Sequence, residues 1–297
     1  MSFAEFMYTE IFKPKPLKAL VNAILLRVIP ETIRYGPATL HLDMNDPVVS
    51  GALALRVFEP SELAFFQRYC RGDMTMVDIG ANVGLYSVLS MHQLDSSGRI
   101  VAFEPHPITF SILQKNIETN QAGEDVGPHV DVYNMAAAPE RGMLELRLNP
   151  ENRGDNRLYQ GTYQGKIENW ETTPVKSIPI DSIFDELGID EVNFVKIDIQ
   201  GYELQALTGF KETLTRSKNV ILMSEFWPKG LREAGDSGRK YLQALVDLGF
   251  QLYELKERPR GKVEPLKNWD QLNLRLQDRK YANIIGVKGY PHIFETN

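Results

Sequence analysis

The chain has the length and composition of a globular protein and lacks the marks of several other classes. Of its 297 residues, 43% are hydrophobic and 24% are charged, and the net charge of −6 argues against a general nucleic-acid binder. Its single cysteine excludes an internal disulfide and fits a reducing compartment, so we expect a cytoplasmic protein. No apolar stretch reaches the roughly 18 residues that a membrane-spanning helix needs.

The first predicted helix is an apolar segment near the N-terminus. Residues 15–29 carry apolar side chains at helical spacing and are followed by Pro30. The apolar face consists of Leu17, Leu20, Val21, Ile24, Leu25 and Val28. We interpret this helix as docked on its own domain, as a self-association surface, or as a peripheral anchor on the inner face of a membrane. It belongs to a predicted lead-in over residues 1–54, which precedes a main domain over residues 55–297.

Two strands and a helix are predicted next. The segments "TLHLDM" and "GALALRV" alternate in the manner of strands and are separated by a turn at "NDP". "PSELAFFQRYC" then has the pattern of a helix with Ser61 near its start.

From residue 75 the chain alternates apolar strands with amphipathic helices. The strands are predicted in "MTMVDIGA", "GRIVAFEP", "HVDVYNMAA", "VNFVKIDI" and "NVILMSEF", with a short additional strand in "GMLELRLN". The helices are predicted at 84–94, 107–121, 202–214 and 237–248. Near-continuous Val/Ile runs between helices indicate an α/β fold, with a parallel sheet covered on both faces. "FQLYELKE" and "YANIIGVKG" predict a terminal antiparallel hairpin, and the polar stretches 149–174 and 258–280 predict long loops.

A glycine-broken turn after the first strand of this sheet predicts a cofactor site. In "VDIGANVGLYS", Gly80 and Gly84 allow close backbone approach. Glu104 ends the next strand about 24 residues after Gly80, where an acid binds ribose hydroxyls. An acid beside the turn would repel the pyrophosphate of a nicotinamide dinucleotide. Asp78 and the Asn82 side chain instead suit the zwitterionic amino-acid end of S-adenosylmethionine.

Several motifs in a fixed order make the chain resemble one family. "VDIGANVGLYS", "VAFEPHP", "FVKIDIQGYELQALTGF" and "SEF", with the lead-in "VFEPSE", resemble the FkbM family of S-adenosylmethionine-dependent methyltransferases over residues 55–257. The resemblance implies a class I methyltransferase (Rossmann-like) fold. Such a fold is a seven-stranded, mostly parallel sheet with an antiparallel last strand and helices on both faces, here with an N-terminal α+β lead-in. It also implies methyl transfer to a hydroxyl, typically on a sugar or a secondary metabolite.

The resemblance further implies where the cofactor would lie. The methionine end would be lined by Asp78, Gly80, Asn82 and Gly84. Glu104, with the adjoining Pro105, would lie at the ribose. The segment from Asn134 to Ala136, which closes the third strand, would lie beside the adenine.

Charged residues at the ends of the fourth and fifth strands are the candidate catalytic groups. Strand alternation places Lys196 and Asp198 of "FVKIDIQ" on one face. Asp198 is interpreted as the general base for the acceptor hydroxyl or as a substrate anchor, tuned by Lys196, with a structural ion pair as the alternative. Glu225 ends the neighbouring strand and is expected to act on the acceptor with Asp198. A divalent metal ion held by these two carboxylates is a further alternative.

Four more polar residues are predicted to bind the acceptor. Arg153, Asn156 and Arg157 lie in "NRGDNRLYQ" and suit a carbohydrate or an anionic acceptor, although a solvated loop has the same composition. Glu203 opens the helix after the fourth strand, where an acid also favours the helix dipole. The resembled family commonly has an acid at the position of Gln200, so no base is predicted there.

The sequence thus predicts an S-adenosylmethionine-dependent O-methyltransferase whose partner is a small-molecule or glycan hydroxyl acceptor, and no nucleic acid. An NAD-linked oxidoreductase would use the same turn and Glu104, but the acid at Asp78 and the missing middle glycine disfavour it. The second alternative is a methyltransferase fold kept as a non-catalytic binding module. The polar groups at Asp198 and Glu225 count against it.

Overall fold

The structure, a computed structural model, describes residues 15–121, 127–150, 152–159, 170–276, 281–290 and 293–294, with only the backbone for residues 15–21 and 159. Within these ranges the chain forms eleven α-helices and fourteen strands. Helices α1 to α11 are Lys15–Val28, Val49–Ala54, Pro60–Tyr69, Leu85–Met91, Pro107–Gln121, Ile180–Leu187, Glu203–Thr208, Lys211–Arg216, Pro228–Glu233, Gly238–Asp247 and Trp269–Arg275. Strands β1 to β14 are Thr32–Tyr35, Ala38–His41, Thr75–Ile79, Arg99–Phe103, His129–Tyr133, Ala136–Ala137, Gly142–Arg147, Arg157–Tyr159, Thr172–Ile178, Phe194–Ile197, Val220–Phe226, Gln251–Leu255, Val263–Pro265 and Ala282–Lys288.

A mixed eight-stranded sheet forms the centre of the main domain. Its order is β13-β12-β14-β11-β10-β3-β4-β5. Strands β5, β4, β3, β10 and β11 run parallel, whereas β14 is antiparallel to both β11 and β12. The predicted α/β fold of the class I methyltransferase type, with its antiparallel last strand, is confirmed. The short edge strand β13 adds an eighth strand to the seven that were predicted.

Apolar side chains cover both faces of this sheet, because its parallel strands are apolar at nearly every position. On β3, Met76 packs on one face in a cluster with Phe66 and Phe194, while Val77 packs on the other face with Val195. Helices α3, α4 and α5 contribute to the first cluster, and α6, α7 and α10 to the second. The sheet edge at the carboxyl ends of the strands is left for polar side chains.

A second, four-stranded sheet lies between β5 and β10 in the sequence. Its order is β6-β9-β7-β8, and β7 is antiparallel to both β8 and β9. Only the β7 segment was predicted, since the residues of β8 and the start of β9 fell in the stretch 149–174 that was assigned to a loop. This sheet carries residues 152–159 to residues 80–84, which follow β3 and are called the cofactor loop below. A Cβ on Gly154 would lie 3.8 Å from Nδ2 of Asn82 in that loop and 2.6 Å from Cγ2 of Val49 on α2.

The lead-in contains a helix where a strand was predicted. Strands β1 and β2 form a hairpin, but "GALALRV" begins inside α2 and is not a strand. Alanine and leucine are good helix formers, and the short alternation in this segment did not indicate its true conformation. Gly51 brings α2 against α1, because a Cβ there would lie 3.0 Å from Cδ1 of Leu25.

The apolar face of α1 is only partly covered. Leu25 is 7% exposed, whereas Ile24 and Val28 are 50% and 62% exposed. The side chains of Leu17, Leu20 and Val21 lie outside the described part of the chain. A contact of residues 15–29 with a membrane or a second chain therefore stays a prediction. No helix in the described ranges is both long enough and apolar enough to cross a bilayer.

Two segments near the C-terminal half differ from their predictions. The stretch 258–280, predicted as a loop, contains β13 and α11. Leu272 in α11 and Leu276, which follows its last residue, are both buried. A single apolar pair at helical spacing was too short a pattern to predict this helix. The predicted helix 202–214 is interrupted between α7 and α8 at Gly209, where a Cβ would collide with the carbonyl oxygen of Ala138.

Candidate active site

The carboxyl ends of four central strands surround a cavity of about 1030 Å³. Gly80 follows β3, Glu104 follows β4, Asp198 follows β10, and Glu225 is the last residue but one of β11. Open parallel sheets bind ligands at this edge, outside the carboxyl ends of the strands. The cavity is therefore the candidate active site.

The loop after β3 is shaped by residues with left-handed backbone conformations. Gly80 has a φ of +79°, and a Cβ there would collide with the carbonyl oxygen of Asp198. Asn82 has a φ of +53° and lines the cavity with Gly80. Gly84 does not line it, because a Cβ there would lie 2.5 Å from Cδ1 of Leu113 on α5. Gly84 thus allows α4 and α5 to pack closely, and its predicted contact with the cofactor does not fit this position.

Glu104 is held at the cavity wall by backbone groups. Its Oε2 accepts a hydrogen bond from the N–H of Asn82 and its Oε1 accepts one from the N–H of His106, both at 2.9 Å. Burial raises the pKa of the Glu104 carboxyl to about 7, although these hydrogen bonds act to lower it. Each oxygen keeps a second lone pair, so the carboxylate can still accept hydrogen bonds from two hydroxyls. Pro105 lines the cavity beside it.

The residues that were expected at the adenine do not line the cavity. Asn134 donates from Nδ2 to the carbonyl oxygens of Glu104 and Pro105, at 2.9 and 3.0 Å, and so shapes the turn that carries Glu104. Ala136 begins β6 of the second sheet and is buried in a cluster with Tyr202. The prediction for Ala136 does not fit the structure, because the chain has already turned into the second sheet there.

Asp78 lies beneath the cavity and not in its wall. It is fully buried on β3, where its Oδ2 accepts a hydrogen bond from Ser87 Oγ at 2.7 Å. Its Oδ1 lies 3.7 Å from Nζ of Lys196. Burial raises the pKa of Asp78, and the Lys196 ammonium opposes this rise. Asp78 therefore positions Lys196 and α4, and its predicted direct contact with the methionine end does not fit this placement.

Lys196 is the cation among the acids of the site. Its Nζ donates to the carbonyl oxygen of Gly80 at 3.2 Å, lies 3.8 Å from Oδ2 of Asp198, and lies 5.1 Å from the centroid of the Tyr86 ring. Burial alone would lower its pKa, but the carboxylates of Asp198 and Asp78 raise it above the ordinary value. Lys196 is therefore charged and offsets the negative charge at the strand ends.

Gln200 joins the two candidate catalytic carboxylates. Its Nε2 donates to Oδ1 of Asp198 at 2.8 Å and to Oε1 of Glu225 at 3.1 Å. The side chain of Asp198 is 25% exposed. Burial, reinforced by the neighbouring Asp198, raises the pKa of Glu225 well above its ordinary value. Within the ranges that the structure covers, no group of three or more His, Cys, Asp or Glu residues is placed to hold a metal ion.

Arg153 and Asn156 line the cavity from the segment that precedes β8. Arg153 donates from Nη1 to Oδ2 of Asp43 at 2.6 Å, which ties this segment to the lead-in. Asn156 accepts a hydrogen bond at Oδ1 from the N–H of Asn149 at 2.9 Å, and among the described residues its Nδ2 has no hydrogen-bond partner that would keep it from a ligand in the cavity.

Arg157 lies between acidic and aromatic groups of the same wall. Its Nε donates to Oδ1 of Asp155 at 2.7 Å, and its Nη1 donates to Oε2 of Glu233 at 2.8 Å. Its Cζ lies 4.4 Å from the Trp227 ring centroid and 5.4 Å from that of Trp170. The guanidinium charge is thus already paired, and the wall presents polar edges and aromatic faces.

Glu203 does not reach the cavity. It is fully buried at the start of α7, and its Oε1 accepts a hydrogen bond from the N–H of Gly201 at 2.9 Å. Burial raises the pKa of its carboxyl to about 7. The prediction that Glu203 binds the acceptor does not fit this position, because its side chain turns back on the strand–helix turn.

Several cavity residues were not predicted. Their positions depend on contacts between distant segments, and the motifs "VDIGANVGLYS" and "VFEPSE" gave no role to Tyr86 or Glu59. The unpredicted residues include Glu59, Tyr86, Trp170, Trp227, Lys229, Glu233 and Tyr281.

The chain is similar to known methyltransferases. Residues 78–252 match the family model described as Methyltransferase FkbM domain. Methyltransferase 1 of Beauveria bassiana is 25% identical over 47% of this chain and 59% of its own length. Hexuronic acid methyltransferase AglP of Haloferax volcanii is 26% identical over 51% of this chain and 55% of its own. 2-O-methyltransferase NoeI of Sinorhizobium fredii is 24% identical over 64% of this chain and 76% of its own.

One solved structure similar to this chain is Methyltransferase FkbM of Methylobacillus flagellatus KT. It is 16% identical, with a TM-score of 0.44, over 93% of this chain and 60% of that chain. The chain therefore spans less than two thirds of the length of this structure and of the Beauveria protein.

Proposed function

The chain belongs to the FkbM methyltransferase family, and on that premise we propose that it transfers a methyl group from S-adenosylmethionine to a hydroxyl of a sugar, a glycan or a secondary metabolite. One observation carries the proposal: Glu104, Gly80 and Asp198, which follow three neighbouring strands, line one cavity. A single site then contains three features: an acid suited to ribose, a loop that lets a ligand approach its backbone, and an acid for the acceptor.

The residues present fit S-adenosylmethionine. The free lone pairs of Glu104 match the two adjacent hydroxyls of a ribose. Asp198 and Glu59 line the same cavity and complement the positive charges of the sulfonium and the ammonium. A nicotinamide dinucleotide would instead bring its pyrophosphate against these acids. When bound, the cofactor supplies an electrophilic methyl group.

Asp198 is the residue proposed to accept the proton of the acceptor hydroxyl. Gln200 holds its Oδ1, and Lys196 lies 3.8 Å from its Oδ2, so the carboxylate has a defined orientation at the cavity wall. Methyl transfer to a hydroxyl depends mostly on positioning, and proton removal adds typically 10²–10⁴-fold. Glu225 is assigned to hydrogen bonding with the acceptor, because it lines the same cavity and Gln200 holds its Oε1 beside Asp198.

A carbohydrate acceptor is supported by the composition of the outer wall. Asn156 and Arg153 offer hydrogen-bond donors, and the Trp227 ring adds an apolar face. The name of one relative, the hexuronic acid methyltransferase AglP, supports the same class, and the name of the 2-O-methyltransferase NoeI supports transfer to an oxygen. In this assignment Arg153, Asn156 and Arg157 form the acceptor side of the cavity.

Binding and product analysis together test the proposed function. Isothermal titration is expected to show binding of S-adenosylhomocysteine and none of NAD. The protein is then incubated with S-adenosylmethionine and a panel of neutral sugars, uronic acids, glycans and phenolic metabolites, and mass spectrometry should find one added methyl group on at least one class. Preferential binding of NAD, or no methylated product from any hydroxyl acceptor, would contradict the proposal.

A further inference from the structure

The carboxylate of Glu59 lies in the wall of the cavity and takes no part in the methyl-transfer step assigned to Asp198 and Glu225. We propose that Glu59 is a cofactor-binding residue: its carboxylate takes the α-ammonium group of the methionine part of S-adenosylmethionine, and Tyr86 holds it in position. This inference rests on the proposed function, since it presupposes that S-adenosylmethionine occupies the cavity.

Glu59 has one carboxylate oxygen fixed and one free. Oε2 accepts a hydrogen bond from the hydroxyl of Tyr86 at 2.6 Å. Oε1 receives no hydrogen bond from any residue in the described ranges, and the Glu59 side chain is only partly buried. Both Glu59 and Tyr86 line the cavity. The free oxygen can therefore accept a hydrogen bond from a ligand without breaking a protein contact.

The position of this pair along the cofactor loop identifies the part of the ligand that would meet it. Asn82, near the start of the loop, donates its N–H to Glu104 on the ribose side. Tyr86 lies on the first turn of α4, after the loop, and contacts Glu59. The two acids thus mark the two ends of one loop. A ligand with its ribose on Glu104 would place its amino-acid end toward Glu59.

The charges around Glu59 leave a place for a cation. Burial raises the pKa of its carboxyl to about 8, and the nearby Glu62 and Asp198 reinforce the rise. Lys196 opposes it, but the Lys196 ammonium is already in contact with the Gly80 carbonyl, Asp78 and Asp198. A carboxylate in such surroundings is stabilised by a hydrogen-bonded ammonium partner.

The backbone of Glu59 supports a functional role for its side chain. Its φ of +39° and ψ of +55° lie in the left-handed region, which residues other than glycine rarely adopt. The next residue is Pro60, which restricts the backbone of Glu59 further. Strained conformations of this kind persist where the surrounding structure determines them, and they cluster at binding sites. Here the conformation delivers the carboxylate to Tyr86.

Two ligands separate this role from others. S-adenosylhomocysteine contains the amino-acid part, whereas 5′-methylthioadenosine has the same nucleoside without it. Titration calorimetry measures the affinity for S-adenosylhomocysteine. The affinity for 5′-methylthioadenosine is measured by its displacement of labelled S-adenosylhomocysteine. Glu59→Gln should weaken S-adenosylhomocysteine roughly 10- to 100-fold, as expected for loss of a charged hydrogen bond, and leave 5′-methylthioadenosine within about twofold. Tyr86→Phe should weaken S-adenosylhomocysteine by a smaller factor, with the same selectivity.

Glu62→Gln is the matched control. It neutralises a neighbouring carboxyl that does not line the cavity, so it should weaken the affinity for neither ligand. The inference would be overturned if Glu59→Gln lost the same affinity for both ligands or kept its affinity for S-adenosylhomocysteine. It would also be overturned if Glu62→Gln lost as much affinity for S-adenosylhomocysteine as Glu59→Gln does. If Glu59→Gln does not fold, Tyr86→Phe decides by the same comparison. If the wild type binds neither ligand, the proposed function itself fails.

Discussion

Gln200 donates a hydrogen bond from its Nε2 to Oδ1 of Asp198 at 2.8 Å, across two positions of the chain. Gln200 has a φ of +54° and Gly201 has a φ of +107°, so the turn after β10 folds the amide back over the strand end. The same amide donates to Glu225 on the neighbouring strand. A third acid at this position would repel the other two, whereas the neutral amide holds both. The orientation of the proposed base therefore depends on Gln200.

Replacing Gln200 tests this dependence. Gln200→Ala should lower kcat by roughly 10- to 100-fold, because a misplaced base loses much of its contribution, while the affinity for S-adenosylhomocysteine stays within about twofold. Steady-state kinetics and calorimetry measure the two quantities. Gln243→Ala is the control, since that amide also bonds an aspartate, Asp247, but on the exposed face of α10. A Gln200→Ala enzyme with normal kcat would show that Asp198 needs no such support.

The ionisation of Glu104 predicts a pH dependence of nucleoside binding. Because burial raises its pKa to about 7, the carboxyl is mostly protonated at pH 6 and mostly ionised at pH 8. Only the ionised form accepts hydrogen bonds from both ribose hydroxyls. The affinity for 5′-methylthioadenosine should therefore rise roughly tenfold from pH 6 to pH 8.

Glu104→Gln provides the comparison for that profile. The variant should bind 5′-methylthioadenosine with an affinity that hardly changes between pH 6 and pH 8. At pH 8 it should bind more weakly than the wild type by about 1–3 kcal/mol, because the ribose loses a charged acceptor. The same pH slope in both proteins would assign the titration to another group and remove Glu104 from the ribose site.

The parts of the site that follow a single apolar strand were predictable from the sequence. Gly80, Glu104 and Asp198 each come directly after such a run, and parallel strands end at the same edge of a sheet. Their common placement therefore follows from the topology alone. The same reasoning could not decide where the Asp78 side chain points, because β3 is buried on both faces. The alternation of residues along such a strand does not show whether an acid faces the cavity or pairs with a lysine in the interior.

Contacts between distant segments were not predictable. Glu59 meets Tyr86, 27 positions further along the chain, through the packing of α3 against α4, which no local pattern encodes. Arg153 likewise meets Asp43 across 110 positions. Ala136 was expected at the adenine because the family resemblance implied it, and the resemblance did not show that the chain turns into a second sheet there. That sheet is built from short, half-buried strands without a strong period.

Because the carboxyl of Glu203 is buried, we expect the free energy of unfolding of the ligand-free protein to fall as pH rises. Glu203 is fully buried, its Oε2 has no hydrogen-bond partner in the described ranges, and burial raises its pKa to about 7. Between the unfolded pKa of about 4.3 and pH 7, the folded state holds a proton that the unfolded chain releases. The free energy of unfolding should fall over this window by up to about 1.4 kcal/mol per pH unit from this group, and level off above it.

Urea unfolding between pH 5 and pH 8 measures this slope. Glu203→Gln keeps an oxygen for the N–H of Gly201 and removes the titration, so the slope should be smaller in the variant. Glu186→Gln is the control, because Glu186 is exposed and its pair with Arg141 is at the surface. Equal slopes in the wild type and Glu203→Gln would mean that other carboxyls carry the dependence.

Asp198 has two possible roles, which differ in what its loss changes. As the proton acceptor, it contributes to turnover and little to folding. As the partner of Lys196, it contributes to stability. The structure limits the second contribution, because Lys196 also contacts Asp78 and the Gly80 carbonyl, and Asp198 is 25% exposed. Removing its charge should therefore cost less than about 1 kcal/mol of stability.

Asp198→Asn separates the two roles in one pair of measurements. Turnover should fall on the order of 10²–10⁴-fold, as for loss of a general base, while the affinity for S-adenosylhomocysteine stays nearly constant. The melting temperature should change little, because the substitution is nearly isosteric and Lys196 keeps its other contacts. Asp270→Asn, at an exposed ion pair with Arg239, is the control for both readouts. A chelator should leave wild-type turnover unchanged, whereas inhibition would point to a metal ion held by Asp198 and Glu225. A variant with normal turnover and a clearly lowered melting temperature would instead make Asp198 a structural partner of Lys196.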